Sequence, residues 1–69
     1  MKISARNILK GKVKSIKAGV VNTEVVLQIA GGTQIVAIIT KESAETLKLA
    51  RGKEAYAIIK ASSVMVGVD

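Results

Sequence analysis

Two short segments near opposite ends of the chain, Ser4-Ala5-Arg6-Asn7 and Lys60-Ala61-Ser62-Ser63, set small hydroxyl residues beside isolated cations in an otherwise aliphatic sequence. An Arg fork, a Lys point charge, Ser hydroxyls and nearby backbone N–H groups can all donate hydrogen bonds, which suits a small, oxygen-rich anion. None of them is a redox or nucleophilic centre. The acids Glu24, Glu42, Glu45, Glu54 and Asp69 show no paired spacing, and the chain has no His and no Cys. A general base and a transition-metal cluster are both missing, so the residues point to binding rather than to an enzyme, with no direct metal-cation ligands.

These donors must be held by a small scaffold. Sixty-nine residues make one domain, 1–69, and a domain of that size hides only about 60% of the surface its unfolded chain exposes. Without Cys or His, disulfides and most metal sites are unavailable as staples, which leaves oligomerisation. A hydrophobic content of 49% and a positive mean hydropathy exceed what one small barrel can bury, so a homo-oligomer is expected. Residues 1–20 offer no uninterrupted apolar stretch of secretory type, and no window approaches the roughly 20 apolar residues of a membrane span. The expected location is cytoplasmic. A net charge of +6 favours an anionic ligand or partner. Tyr56 is the only aromatic residue, whereas binders of single-stranded nucleic acid stack bases on several aromatic side chains.

Turn signals at Ala18-Gly19, Gly31-Gly32 and Arg51-Gly52-Lys53 cut the chain into pieces of strand or short-helix length, with no linker between them. Residues 8–17 alternate Lys10, Lys12 and Lys14 against Leu9, Gly11 and Val13, a strand with one wet face. The phase slips at Ser15-Ile16, which predicts a bulge there. Residues 20–30 form a β-branched strand with Val21, Thr23, Val25, Leu27 and Ile29 on the core face. A Gly31-Gly32 hairpin leads into residues 33–40, apolar on both faces and therefore in need of a second covering surface. Thr40 to Leu49 carries the sole helical signal, with Thr40 as N-cap and Gly52 beyond its end. Strands at 54–60 and 64–68 complete the pattern. The predicted fold is all-β with one short helix after the third strand, a five-stranded OB-like barrel.

Set in order, Ser4-Ala5-Arg6-Asn7, Gly11, Val13, Val21-Asn22-Thr23-Glu24-Val25, Gly31-Gly32, Ile38-Ile39-Thr40, Ser43, Leu47-Lys48-Leu49, Gly52-Lys53 and Lys60-Ala61 closely resemble the molybdenum-pterin-binding (Mop) proteins, or molbindins, a TOBE-like domain family. The similarity spans nearly the whole chain. It extends to Mop units fused to molybdate-responsive regulators and to transporter ATPase subunits. The resemblance implies a cytoplasmic homohexamer, a trimer of dimers, that binds molybdate or tungstate between subunits for storage and homeostasis. Ser4, Arg6, Lys60 and the Ala61 backbone amide match the family's oxyanion site, completed by Thr40 and Ser43 of a neighbouring subunit.

The chemistry of the six residues agrees with that assignment. A tetrahedral dianion taken out of water needs several donors and compensating charge, and Arg6 with Lys60 match a charge of minus two. A shell of donors also disfavours the protonated form of phosphate, whose hydrogen would face other donors unpaired at a cost of about 1–3 kcal/mol. Sulfate must be excluded by size. Considered singly, the same residues have plainer roles: Arg6 and Asn7 as solvated tail, Lys60 as a snorkelling edge residue, Thr40 and Ser43 as helix cap. Lys10, Lys12 and Lys14 read as a solubilising face that discourages edge pairing. An OB-type nucleic-acid-binding module is the alternative function, disfavoured by the single aromatic, and a molybdate-dependent sensor acting through a partner is a third.

Overall fold

The computed structural model describes Met1–Asp69 throughout. Four strands, β1 (Asn7–Ala18), β2 (Asn22–Ile29), β3 (Gln34–Thr40) and β4 (Glu54–Ile59), form one antiparallel sheet in the order β3-β2-β1-β4. A short helix α1 (Lys41–Thr46) follows β3, and a 3-10 turn, Ala61–Ser63, follows β4. No helix is long and apolar enough to cross a membrane.

β1 organises the sheet. Its first half pairs with β4 from Asn7↔Ile59 to Lys12↔Glu54, and its second half pairs with β2 from Gly11↔Ile29 to Ala18↔Thr23. At Gly11 the strand is flanked on both sides, and a Cβ there would lie 2.5 Å from the Gln28 carbonyl oxygen and 2.8 Å from Ile29 Cδ1. Only glycine admits that approach. Just beyond it the register passes from Val13↔Leu27 to Ser15↔Val26, leaving Lys14 as the extra residue of a bulge. The bulge sits one residue earlier than Ser15-Ile16. It turns both Lys14 and Ser15 outward, so that Val13 is buried and Ile16 packs on the same core.

The core is thin. Val13, Val25, Leu27 and Ala57 are its buried hydrophobic residues, with Thr23 buried beside them and Ile16, Ile29, Ile35, Ile39, Leu49 and Ala55 packed around the margin. The inward face expected for β2 holds from Thr23 to Ile29, but Val21 lies before the strand and is exposed. On β3 the face carrying Val36 and Ile38 is open, Ile38 being 61% exposed, so its apolar side chains lack a covering layer within this chain.

Two expected elements differ. The helix ends at Thr46 rather than continuing to Leu49, because Lys48 adopts a left-handed conformation (φ 53°) that reverses the chain. Lys53 Nζ donates to the carbonyls of Leu47 (2.7 Å) and Lys48 (3.2 Å), satisfying acceptors left over at that end. Gly52 (φ 88°) serves the next turn instead. The fifth strand is not formed: after Ala61–Ser63 the chain runs on without a ladder, and Met65 and Val68 are each 94% exposed. Alternating apolar residues favour a strand only where an edge is supplied to pair with, and residues 64–68 meet none in their own chain. The sheet is therefore a curled half-barrel of four strands rather than a closed barrel of five.

Candidate functional site

Ser4 and Arg6 are exposed in the bend that precedes β1, and Lys60 and Ala61 are exposed directly after β4. The antiparallel pair Asn7↔Ile59 brings the two segments together, since Arg6 directly precedes Asn7 and Lys60 directly follows Ile59. Asn7 fastens this end: its Nδ2 donates to the Ile59 carbonyl at 3.2 Å. The sequence assigned Asn7 no such role, placing it in the Ser4-Ala5-Arg6-Asn7 run that carries the family resemblance. Lys60 is extended (φ −62°, ψ 129°) and starts the 3-10 turn, its carbonyl accepting from Ser63 N–H at 2.9 Å. The Ala61 amide is not among the turn and loop hydrogen bonds, as expected for the first N–H of a helical turn, and remains available to an acceptor. Arg6 and Lys60 thus adjoin the same end of the sheet, with Ser4 two residues before the one and the Ala61 amide directly after the other.

Thr40 and Ser43 form a second set. Thr40 ends β3, paired with Asn22, and caps α1: Ser43 N–H donates to Thr40 Oγ1 at 3.0 Å, and Thr40 Oγ1 donates to Ser43 Oγ at 2.7 Å. The expected N-cap is present. The Thr40 and Ser43 hydroxyls thus sit side by side at the start of α1, each an exposed donor and acceptor. Lys41 N–H donates to the Val21 carbonyl at 2.8 Å, which ties the start of α1 to the β1–β2 hairpin.

The two sets lie at opposite ends of β1. Arg6 precedes its first residue, while Thr40 is joined through Asn22 to the strand end around Ala18, where Ala18 pairs with Thr23. Eleven steps along a strand correspond to roughly 36 Å of contour. No hydrogen bond connects the sets, and the surface hollow beside Thr40 and Ser43 is lined by Glu42, Thr46 and Leu47 rather than by either cation. Nor does the chain carry any group of three or more His, Cys, Asp or Glu side chains able to hold a metal ion. What each set can do is donate hydrogen bonds, and only one of them brings charge.

Against known proteins, a model of the TOBE domain matches residues 3–66. The sequence is 56% identical to the probable molybdenum-pterin-binding protein of Haemophilus influenzae, over 100% of both chains. The chain belongs to the molybdenum-pterin-binding (Mop) family of TOBE domains. Among solved structures, the Mop fold seen here superposes on MopII from Clostridium pasteurianum with a TM-score of 0.93 at 51% identity, covering 97% of this chain and 100% of that one. It superposes equally well on the cytoplasmic molybdate-binding protein ModG, in a crystal form with molybdate bound, with a TM-score of 0.95 at 51% identity. That match takes in 100% of this Mop chain and 49% of ModG. The four-stranded half-barrel thus matches the solved Mop structures.

Proposed function

We propose that this Mop chain binds molybdate or tungstate as the free oxyanion between copies of itself, and stores or buffers it in the cytoplasm without transforming it. The observation that carries the reading is the division of the donors between the two ends of β1, with Arg6 and Lys60 adjoining one end and Thr40 and Ser43 the other. A dianion held by the cation end alone would keep much of its surface in water. Docking the hydroxyl end of a second copy against it supplies donors and excludes solvent, which strengthens every charge-assisted contact. Ser4, Arg6, Lys60 and the Ala61 N–H are the contribution of one copy; Thr40 and Ser43 are that of its neighbour. The names of the Mop relatives and the molybdate held by ModG support the choice of ligand.

Self-association is supported by the same chain. Apolar residues stand exposed on β3 and along 64–68, and covering them is favourable at about 25 cal/mol per Å². A homohexamer arranged as a trimer of dimers is the assembly the family resemblance implies. Binding and release need no covalent step, so the protein acts as a reversible reservoir rather than as an enzyme. Calorimetric titration with molybdate, tungstate, sulfate and orthophosphate tests the ligand: saturable heats are expected for the first two alone. Sedimentation tests the interface. A response restricted to sulfate and orthophosphate, or a monomer that binds molybdate, overturns the reading.

A further inference from the structure

In the fold, guarding an open strand side explains only part of the row Lys10, Lys12 and Lys14. Lysines along an open strand side discourage unwanted pairing, and that role covers Lys10, paired to β4 alone, and Lys14, unpaired in the bulge, but not Lys12, which is flanked by Gln28 of β2 and Glu54 of β4. All three lysines line a cleft of about 600 Å³, walled by the Gly31-Gly32 turn and by Arg51. Four of the eleven cations of the chain meet there with one of its five acids, Glu54, which is already engaged by Lys10 at 3.3 Å. Lys12, Lys14 and Arg51 have no ion-pair partner. Lys10 and Lys12, two apart on the regular part of the strand, are separated by about 6.6 Å, a distance at which like charges repel. The Gly31 N–H takes no part in closing its turn, which uses Ile29 N–H to Thr33 O at 2.7 Å and Gly32 N–H to Ile29 O at 3.1 Å.

We propose that this cleft is a second anion site, distinct from the Arg6 and Lys60 end, and that it takes a chain of linked phosphate groups. The cations are spread along a strand rather than focused on a point, so a single tetrahedral anion would leave most of them unmatched. A linear ligand with several charges engages them together. No aromatic side chain lines the cleft, so a nucleobase finds no surface on which to stack. Recognition therefore rests on the phosphate chain, whether it is free or carried by a nucleoside. The proposal does not depend on molybdate binding.

Titration of the full chain with sodium tripolyphosphate, with ATP and with a single-stranded oligonucleotide tests it. Saturable tripolyphosphate binding at one equivalent per chain is expected, and ATP that binds no tighter assigns the recognition to the phosphates. The variant Lys12→Gln/Lys14→Gln/Arg51→Gln should weaken tripolyphosphate binding at least about tenfold. Removing the same charge elsewhere, in Lys2→Gln/Lys17→Gln/Lys41→Gln, should change it less than about twofold, because exposed charges beyond the site are screened. Bound tripolyphosphate should also raise the melting temperature of the unaltered chain but not of the cleft variant. Absence of saturable binding overturns the proposal. So do equal losses in the two triple variants, or a preference for the oligonucleotide or for ATP over tripolyphosphate.

Discussion

A site assembled from two copies can be taken apart genetically and put back together. Arg6→Gln/Lys60→Gln removes two charge-assisted contacts, each worth about 1.5–3 kcal/mol, and so should weaken molybdate binding by roughly 10²- to 10⁴-fold. Thr40→Ala/Ser43→Ala removes two neutral hydroxyls from the other end of the sheet, at about 0.5–1.5 kcal/mol each, or roughly 5- to 150-fold in total. It also deletes the Thr40 Oγ1 cap seen at 3.0 Å from Ser43 N–H, costing α1 about 1 kcal/mol. Neither variant alone should fill its sites at a molybdate concentration just above the dissociation constant of the unaltered protein. When the two are co-expressed in equal amounts, a working site needs cations from the hydroxyl-deficient copy and hydroxyls from the cation-deficient copy. Random assembly into a symmetric oligomer makes that pairing in about one quarter of the sites. Equilibrium dialysis of mixed oligomers, verified by native mass spectrometry, should recover that fraction at near-normal affinity. If all six residues acted within one chain, every chain would carry a defect and nothing would be recovered. Mixed oligomers without tight sites would therefore refute the two-copy site.

Two further outcomes follow from the fold. Gly11→Ala places a methyl 2.5 Å from the Gln28 carbonyl oxygen in the middle of the sheet and should cost about 1–3 kcal/mol, read as a lowered midpoint in thermal or urea unfolding; an unchanged midpoint would show that β1 and β2 separate freely there. Ending the chain after Ser63 removes the exposed apolar tail carrying Met65, Val66 and Val68 and should lower the sedimenting mass of the oligomer, whereas an unaltered assembly would mean that the tail covers nothing.

Much of this scaffold was legible in the residues, for local reasons. Alternation along residues 8–17 and 20–30 marks strands because successive side chains point to opposite faces, and Gly31-Gly32 marks a turn because both residues take positive φ, 91° and 92°. Thr40 could be placed as a cap since its role involves only Ser43, three residues on. The length of α1 was less legible. Its end depends on Lys48 taking a left-handed conformation without glycine and on Lys53 returning to the free carbonyls, neither of which residue type announces. Residues 64–68 have the pattern of a strand but no edge to join, and a pattern cannot report whether a partner exists.

Residue types by themselves determined the chemistry this protein can offer. Donors and positive charge without His, Cys or paired carboxylates suit holding an anion, and no arrangement in space adds a functional group the chain does not contain. Tertiary structure alone decided how those donors are shared out. It made β1 a long strand shared between β4 and β2, so the cation end and the hydroxyl end of the set stand apart, and it brought Lys10, Lys12 and Lys14 to one cleft. The physical reason is range: side-chain alternation and φ preferences are written within a few residues, whereas strand order joins Asn7 to Ile59 and Thr40 to Asn22 across the chain.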